Sequence, residues 1–202
     1  MVKINLGCGP SGIDGWENYD WGLMPFLGKY RINILLSKIG VLEKDYGFPW
    51  PKIKLVDIRK KIGKKDSSVD YIYCSHVLEH FEKSETLGVL KECKRVLKRN
   101  GFLRIVLPDL EIIKKIKNAD NFNKAYLGID KEMYKSFLGK LKLFFIRPHL
   151  WMYNLESFTK MLNEAGFKNV YLKKYRVGNV PDLERLDLEI HQELSFYVEA
   201  SN

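Results

Sequence analysis

Short apolar runs alternate along the chain with longer segments in which apolar residues recur at helical spacing. The short runs are typical of strands and predict seven of them, at 2–6, 16–20, 54–57, 70–74, 102–107, 167–175 and 194–200. The longer segments predict helices at 23–44, 84–98 and 154–165. In the second of these helices, Ser84 is the expected N-cap and Asn100–Gly101 the expected end. Strands that alternate with helices predict an α/β fold built on a doubly wound, mostly parallel sheet.

The composition agrees with one globular domain that spans residues 1–202. The chain has 202 residues, of which 46% are hydrophobic and 13% aromatic, and this content excludes a disordered chain. Residues 112–147 interrupt the alternation after the fifth strand and are interpreted as a helical insertion. This insertion carries nine Lys or Arg and three acidic residues, hence +6 of the net charge of +9. The excess of positive charge favours a negatively charged partner.

The cysteines and the apolar clusters bear on the cellular location. Cys8, Cys74 and Cys93 are odd in number and widely spaced, so they indicate neither a disulfide framework nor a four-thiolate metal site. Cys8 and Cys74 are expected to be small buried fillers. The N-terminus lacks an apolar signal region, and the longest apolar cluster, 141–146, is too short to span a bilayer. A cytoplasmic protein is therefore expected.

Three strand ends carry residues suited to a nucleoside. Gly7 and Gly9 follow the first strand, where a glycine turn lets a ligand lie against bare backbone. Asp20 ends the second strand and can accept both hydroxyls of a ribose, while Asp57, followed by Ile58, can accept an exocyclic amine. Each acid alone is more often an exposed turn residue, but their joint placement predicts a nucleoside pocket.

The same glycines also fit the dinucleotide fingerprint GxGxxG, read from Gly7 to Gly12. That fingerprint requires a helix that begins at the turn and holds a pyrophosphate at its N-terminus. Pro10, Gly12 and Gly15 oppose such a helix, which disfavours phosphate binding. The segment 7–15 is also too short for a complete crossover helix, so we expect a stub there.

The motifs in combination resemble the class I S-adenosylmethionine-dependent methyltransferases. Within that class the chain is most similar to the small type 11-like enzymes often associated with polysaccharide biosynthesis, and the resemblance covers nearly the whole chain. It implies a Rossmann-like fold of seven strands with an antiparallel last strand. The segments that carry it are Leu6–Gly9, Asp20, Asp57–Ile58, Ser75–His80, Val96–Gly101, Pro108–Asp109, Trp151–Asn154, Glu164–Phe167 and Leu194–Ala200.

The resemblance implies S-adenosyl-L-methionine as cofactor and S-adenosyl-L-homocysteine as product. Gly7 and Gly9 would face the methionine part, Asp20 the ribose, and Asp57 with Ile58 the adenine. Trp21 packs on the adenosine or, as is more common for a tryptophan, in the core. The expected cofactor residues are Asn5, Gly7, Cys8, Gly9, Asp20, Trp21, Asp57, Ile58, Ser75, His76 and His80.

Methyl transfer from a sulfonium is an in-line displacement in which the protein aligns the nucleophile and excludes water. The acceptor is expected to be a small molecule or a saccharide, anionic or lipid-linked, methylated at oxygen. A hydroxyl acceptor must lose a proton, and His149, Asp109 and His76 are the candidate catalytic residues. Asp109 is alternatively a simple helix cap, and His76 and His80 are alternatively polar residues that hydrogen-bond locally.

The basic insertion offers two hypotheses about partners. Its segment 134–146 places apolar residues at helical spacing between lysines, which predicts a substrate lid or a peripheral contact with an anionic inner membrane surface. The alternative is a lysine-solvated helix packed on the core. Specific DNA binding is not expected, because the fourth strand lacks the Asn/Asp-Pro-Pro-aromatic sequence that holds a flipped base. An RNA target and a non-catalytic cofactor-binding protein both remain open.

A competing hypothesis concerns zinc. His76-Val-Leu-Glu79-His80 matches the HxxEH pattern of inverted zinc peptidases, in which two histidines hold the metal and the glutamate activates water. Against it, the motif directly follows a strand, and the sequence identifies no third ligand downstream. No residue is therefore predicted to be a metal ligand.

Overall fold

The computed structural model describes residues 1–42, 47–127 and 148–202. Seven strands form one sheet, and their carboxyl ends carry the site discussed below. The strands are β1 (Lys3–Leu6), β2 (Glu17–Asp20), β3 (Ile53–Leu55), β4 (Val69–Ser75), β5 (Leu97–Pro108), β6 (Asn169–Lys173) and β7 (Ser195–Ser201).

Helices and single turns of 3₁₀ helix connect the strands. The α-helices are α1 (Leu23–Lys29), α2 (Ile32–Lys38), α3 (Lys83–Val96), α4 (Leu110–Ile113), α5 (Ala119–Leu127), α6 (Leu155–Glu164) and α7 (Leu183–Leu186). Turns of 3₁₀ helix lie at Gly9–Ser11, Leu78–His80 and Glu189–His191. None of the helices in the described part of the chain is long and apolar enough to cross a bilayer.

The strand order across the sheet is β3-β2-β1-β4-β5-β7-β6. Strands β1 to β5 pair in parallel, whereas β7 runs antiparallel to both β5 and β6. This confirms the doubly wound, mostly parallel seven-stranded sheet with an antiparallel last strand. The chain direction across the sheet reverses between β1 and β4, and in such sheets a ligand crevice lies beyond the carboxyl ends at that point.

Both faces of the sheet are covered, which is why β4 and β5 carry apolar residues at successive positions, at 71–74 and 105–108. Ile72 and Ile105 point into the larger cluster, which also contains Leu90 of α3 and Phe158 of α6. Tyr73 lies beside Ile72 in sequence but belongs to a second cluster with residues of α7. Because successive strand residues point to opposite faces, these two clusters are the two layers of the core.

Two predicted boundaries of α3 are wrong. Glu82, not Ser84, is the N-cap, and its backbone N–H donates to Glu85 Oε2 at 3.1 Å. The helix ends at Val96 and the chain enters β5 directly, so Asn100–Gly101 lies inside a strand. Glycine is required there because a Cβ on Gly101 would come within 2.7 Å of the carbonyl oxygen of Asp70.

The segment 23–44, predicted as one helix, contains two short helices as far as residue 42. Arg31 separates α1 from α2 with a φ of +59°, a left-handed conformation that a continuous helix does not contain. The short first helix is confirmed: only the 3₁₀ turn Gly9–Ser11 lies between β1 and β2. Of the predicted insertion 112–147, the part up to residue 127 is described, whereas the amphipathic segment 134–146 lies outside the described residues.

Candidate functional site

A crevice opens along the carboxyl ends of β1 to β4. Its volume is about 570 Å³, which is in the usual range of roughly 300 to 1,000 Å³ for small-molecule and cofactor sites. The expected cofactor residues that line it are Gly7, Gly9, Asp20, Trp21, Asp57, Ile58, His76 and His80. Residues that were not predicted to bind the cofactor also line it: Pro10, Gly22, Met24, Trp50, Val56, Arg59, Val77 and Phe81.

A hydrogen bond joins the glycine turn after β1 to the carboxylate after β2. Asp20 Oδ2 accepts the Gly9 N–H at 2.7 Å, and Oδ1 accepts the Trp21 N–H at 2.7 Å. Burial raises the pKa of Asp20, and these two backbone donors oppose that effect. Because a carboxylate offers about four acceptor positions, Asp20 retains capacity for ligand hydroxyls.

The turn itself leaves bare backbone at the crevice. Gly7 and Gly9 have φ angles of +64° and +53°, the left-handed region that favours glycine. No atom lies within 4 Å of the position that a Cβ on Gly9 would occupy. A ligand can therefore approach the main chain at Gly9 where any side chain would stand in its way.

The carboxylate after β3 is held by a residue two positions further along the chain. Arg59 donates from Nε to Asp57 Oδ1 and from Nη2 to Oδ2, each at 2.9 Å, and its backbone N–H donates to Oδ1 at 3.2 Å. The side-chain hydrogen bonds from Arg59 lower the pKa of Asp57 despite its partial burial. Asp57 is thus ionised, but only part of its acceptor capacity is left for an exocyclic amine.

Apolar side chains form the walls of the crevice near Asp57. Ile58 is buried, and Met24, Trp50 and Phe81 contribute further lining. The Trp50 indole lies against α1, where a Cβ on Gly28 would come within 2.3 Å of its ring. Glycine at that helix position therefore lets the indole reach the crevice, and the resulting walls suit a flat aromatic ring.

His76 follows β4 in a left-handed conformation with a φ of +53°. Such a conformation costs roughly 1 to 3 kcal/mol for a residue other than glycine, so contacts must hold it in place. Its backbone N–H donates to the Val106 carbonyl at 3.0 Å, and ring Nε2 lies 2.9 Å from Ser195 Oγ. The ring stacks on His191 with centroids 3.6 Å apart, and Nδ1 lies 3.2 Å from Glu79 Oε1.

The 3₁₀ turn Leu78–His80 is bound to the segment that contains His149. The Glu79 carbonyl accepts the N–H groups of Leu150 at 2.7 Å and of Trp151 at 3.1 Å. The side chain of Glu79 is 1% exposed and that of His149 is 9% exposed. Burial lowers the pKa of His149, with Glu79 acting in the opposite direction.

The geometry of this turn differs from the pattern that suggested a zinc hydrolase. Inverted zinc peptidases place both histidines on one long helix, whereas His76 here precedes a single 3₁₀ turn that contains Glu79 and His80. His149 is the third residue with a possible ligand atom close to those of Glu79 and His80. Glu79 is therefore itself a candidate ligand, whereas the glutamate of the inverted zinc peptidases is not a ligand and acts as a base.

Several expected site residues do not line the crevice. The buried Asn5 amide donates to Asn18 Oδ1 at 3.5 Å between β1 and β2. Cys8 is also buried, as predicted, and its Sγ donates to the Gly9 carbonyl at 3.3 Å. Ser75 is the last residue of β4 and pairs with Val106 in β5. Asn5, Cys8 and Ser75 therefore lie off the crevice lining, and their part in cofactor binding stays a prediction.

Two of the three candidate catalytic residues also lie off the crevice lining. Asp109 Oδ1 accepts the Glu111 N–H at 2.9 Å as the N-cap of α4, the simpler alternative considered for it. The His149 ring donates from Nδ1 to the Tyr126 carbonyl, 2.9 Å away. His76 is the candidate that lines the crevice, and the catalytic role of each residue stays a prediction.

Some lining residues carry local signals that were available in the sequence. Arg59 lies two residues after Asp57, a spacing that permits the observed ion pair, and Trp50 sits between two prolines that end the preceding segment. Val77 directly follows His76 and Phe81 directly follows His80, both of which were predicted as cofactor residues. The contact between His149 and the Glu79 turn, in contrast, has no local signal because about 70 residues separate them in the chain.

Residues 38–105, less than half of the chain, match a family described as a methyltransferase domain. No protein of curated function is significantly similar in sequence. Among solved structures, a SAM dependent methyltransferase from Archaeoglobus fulgidus is 14% identical with a TM-score of 0.54, and the match covers 100% of this chain and 86% of that chain.

Two further structures are similar over all of this chain but are themselves longer. The CMeT domain of the citrinin polyketide synthase is 13% identical with a TM-score of 0.54, and the match covers 100% of this chain and 46% of that chain. PigF, solved with SAH, is 14% identical with a TM-score of 0.53, and the match covers 100% of this chain and 50% of that chain. The chain thus spans about half the length of these two.

At these identities the likeness shows the fold alone, a Rossmann-like α/β fold that this chain shares with these structures. Together with the matched family segment, it supports S-adenosylmethionine as the cofactor.

Proposed function

We propose that this protein is an S-adenosylmethionine-dependent methyltransferase that acts at an oxygen atom of a small or carbohydrate acceptor. The observation that carries the proposal is the crevice at four strand ends, where the Gly7–Gly9 turn, Asp20 and Asp57 meet beside apolar walls. The bare backbone at Gly9 and the spare acceptor positions of Asp20 fit an amino acid joined to a nucleoside. The cofactor would supply an electrophilic methyl group on a sulfonium.

The residues of the chain would then bind, orient and exclude water. Asp20 would accept the ribose hydroxyls while it keeps the Gly9 turn in place. Asp57, oriented by Arg59, would accept the exocyclic amine of the adenine, and the ring would lie between the apolar walls. Because a displacement at an activated methyl group needs mainly alignment of the acceptor, such a binding site supplies most of what the reaction requires.

A hydroxyl acceptor also releases a proton. His76 is the crevice-lining candidate for this step, and its ring is held by contacts with Ser195, His191 and Glu79. An imidazole is suited to proton transfer near neutral pH. Asp109 is occupied as a helix cap, which favours His76 over it.

The surface around the crevice supports an acceptor with an apolar part, such as a lipid-linked saccharide. Trp21 and Met24 line the crevice, while Leu23 and Phe26, on α1, expose 43% of their surface each. Exposed apolar groups next to a binding crevice are typical of contacts with apolar ligands or membranes. Association with polysaccharide assembly, a cytoplasmic location and a contact with an anionic membrane surface belong to this proposal.

Calorimetric titration with S-adenosylhomocysteine tests the cofactor site directly. We expect binding to one site per chain, weakened at least tenfold by Asp20→Ala, because hydrogen bonds to a charged group contribute about 1.5 to 3 kcal/mol. Glu156→Gln, a substitution of an exposed carboxylate on α6, is the control and should leave the affinity unchanged. Absence of binding, or equal affinity of the Asp20→Ala protein, would overturn the proposed pocket.

A second experiment tests the acceptor. Production of S-adenosylhomocysteine from S-adenosylmethionine can be followed with a panel of hydroxylated sugars, uronic acids, lipid-linked saccharides and matched amino sugars. Turnover with hydroxyl acceptors is the expected result, together with a loss of kcat for His76→Gln that is larger than its loss of cofactor affinity. Turnover confined to amine acceptors would contradict methylation at oxygen.

A further inference from the structure

All four histidines of the chain meet at one place. His76 and His191 stack with ring centroids 3.6 Å apart, and His80 and His149 meet edge to face with centroids 5.0 Å apart. They come from three segments that are far apart in sequence, so the fold, not a local repeat, brings them together. The carboxylate of Glu79 lies among them.

The carboxylate of Glu79 is buried, and no described residue donates a hydrogen bond to it. Its side chain is 1% exposed, and neither Oε1 nor Oε2 has a hydrogen-bond partner among the described residues. The nearest nitrogens are His76 Nδ1 at 3.2 Å, outside hydrogen-bond geometry, and His149 Nε2 at 3.9 Å from Oε1. An ionised carboxylate in such a place is costly unless a cation compensates it.

The hydrogen bonds of two histidines define which ring nitrogen is free. His149 Nδ1 lies 2.9 Å from the Tyr126 carbonyl, and His80 Nδ1 lies 3.2 Å from the Pro148 carbonyl. A carbonyl oxygen can only accept, so each ring donates from Nδ1 and, when neutral, keeps its lone pair on Nε2. Histidines that bind metals typically have one ring N–H held in this way by a carbonyl or a carboxylate.

We propose that Glu79, His80 and His149 form a binding site for a divalent transition ion of the zinc class. One donor atom from each residue lies within 4.8 Å of the other two. Around a tetrahedral zinc ion, donors at about 2.0 to 2.1 Å would be roughly 3.3 Å apart, so small side-chain rotations suffice to close the site. Two imidazoles with one carboxylate suit zinc and its transition-metal neighbours better than magnesium or calcium.

The backbone holds the ligands together independently of the metal. Glu79 and His80 are consecutive residues of one 3₁₀ turn, and the Glu79 carbonyl accepts two N–H groups from the residues that follow His149. The His149 N–H also donates to the Leu127 carbonyl at 3.0 Å. The chain segments of the site are therefore organised before an ion arrives.

The proposed ion would lie at the wall of the crevice, because His80 is part of both sites. Three protein ligands leave the fourth position of a tetrahedral ion for water or a substrate atom. An ion there would polarise an acceptor oxygen, a role that extends the methyl transfer proposed above. The metal site itself rests on the contacts of Glu79, His80 and His149 and holds whether or not the cofactor proposal does.

The test is zinc binding to the full-length protein after removal of metals with a chelator. Zn²⁺ affinity is measured by competition with a chromophoric chelator, the metal content by mass spectrometry, and the geometry by the visible absorption of the Co²⁺ form. We expect about one Zn²⁺ per chain and the intense absorption of a four-coordinate Co²⁺ site. Glu79→Gln and His149→Ala should each weaken Zn²⁺ binding at least 100-fold.

His191→Asn is the matched control. This residue belongs to the same histidine cluster and stacks on His76, but it is not one of the proposed ligands. Its substitution should change Zn²⁺ affinity less than threefold. Equal losses for His191→Asn and His149→Ala would overturn the ligand assignment, and Mg²⁺ binding at an affinity similar to that of Zn²⁺ would overturn the assignment to the zinc class.

Circular dichroism of the metal-free variants separates loss of ligands from loss of folding. If His149→Ala is unfolded, the isosteric Glu79→Gln protein and the Co²⁺ spectrum of the unsubstituted protein decide the outcome. Less than half an equivalent of bound Zn²⁺, or no four-coordinate Co²⁺ absorption, overturns the site. Calorimetry with S-adenosylhomocysteine runs in parallel, so a protein that binds the nucleoside but no zinc refutes the metal site alone.

Discussion

Arg59 holds both carboxylate oxygens of Asp57, with Nε 2.9 Å from Oδ1 and Nη2 2.9 Å from Oδ2. This fork-to-fork pair fixes the carboxylate at the edge of the crevice. Arg59 also lies 3.4 Å from Glu85 Oε1, which restrains the guanidinium from the other side. The acid that follows β3 is therefore one half of a bidentate ion pair, and its orientation depends on the arginine.

If Asp57 and Arg59 act together on the adenine, the losses of binding free energy caused by their separate substitutions should not add up in the double variant. We expect Asp57→Ala and Arg59→Ala each to weaken S-adenosylhomocysteine binding about tenfold, and the double variant to be little worse than either single variant. Calorimetric titration of the four proteins completes the cycle. Fully additive losses would show that Arg59 acts independently of Asp57.

Gly7 and Gly9 provide a matched pair of glycines in left-handed backbone. A Cβ on Gly7 would lie 2.2 Å from Val77 Cγ2, whereas nothing lies within 4 Å of one on Gly9. Alanine at either position carries a backbone cost of about 1 to 2 kcal/mol, and at Gly7 the overlap with Val77 adds about 1 to 3 kcal/mol.

Urea unfolding should therefore show a larger loss of stability for Gly7→Ala than for Gly9→Ala. Val77→Ala should recover part of the loss in the Gly7→Ala background, because it removes the overlapping atoms. Gly9→Ala should weaken S-adenosylhomocysteine binding more than its smaller loss of stability suggests, since its methyl group would occupy the open space proposed for the ligand. Equal stabilities of the two glycine variants would contradict this account of the turn.

The fold could be predicted from the sequence because its signals are local. β1 is a short run followed by a glycine turn, β2 ends in Asp20, and β4 carries apolar residues at successive positions, so each strand is readable from its own segment. The end of α3 was mispredicted because Val96 and Leu97 are apolar and are buried whether the chain continues as helix or as strand. Gly101 reads as a helix stop, but the close approach of Asp70 is what requires it.

The candidate site was only partly predictable for a related reason. Gly9, Asp20 and Asp57 lie at strand ends, and the sheet places them together once the strand order is known. The interactions that orient them are set by tertiary packing: Trp50 reaches the crevice because Gly28 leaves room for it. His149 meets Glu79 through backbone hydrogen bonds between distant segments, which no spacing rule in the sequence describes.

Arg104 in β5 provides a test of a buried ion pair away from the crevice. Its side chain is fully buried, pairs with Asp187 and lies 3.7 Å from Glu199 Oε1. It also donates to the carbonyls of Val177 and Lys174, each at 3.0 Å. Removal of the guanidinium would leave Asp187 buried without an ion-pair partner among the described residues and Glu199 with Lys173 at 3.8 Å, and breaking a buried pair costs about 3 to 5 kcal/mol.

We therefore expect Arg104→Met to lower the free energy of unfolding by about 3 to 5 kcal/mol in urea denaturation. Lys160→Met is the control, because Lys160 and Glu156 are 74% and 76% exposed and such pairs contribute little. Asp187→Asn with Glu199→Gln should restore part of the stability in the Arg104→Met background. No recovery would assign the loss to packing of the arginine stem instead of to unpaired charge.

The hydrogen bonds of Glu17, at the start of β2, predict a specific pH dependence of stability. Its side chain accepts hydrogen bonds from Lys54 at 2.5 Å, Lys64 at 2.7 Å and Tyr19 at 2.9 Å. Partial burial acts to raise the pKa of Glu17, but these hydrogen bonds and the lysine charges outweigh it and lower the pKa to about 2. In the unfolded chain a glutamate titrates near pH 4.3, so the folded state favours the ionised form.

A pKa that folding lowers contributes stability above the unfolded value and loses it as the pH falls through the folded value. The stability difference between the unsubstituted protein and Glu17→Gln should thus be constant above about pH 5 and shrink steadily toward pH 2. Urea unfolding at intervals between pH 7 and pH 2.5 measures it, with Glu156→Gln as an exposed control that should show little difference. A difference that stays constant or grows as the pH falls would mean that the lysines do not stabilise ionised Glu17 in the folded protein.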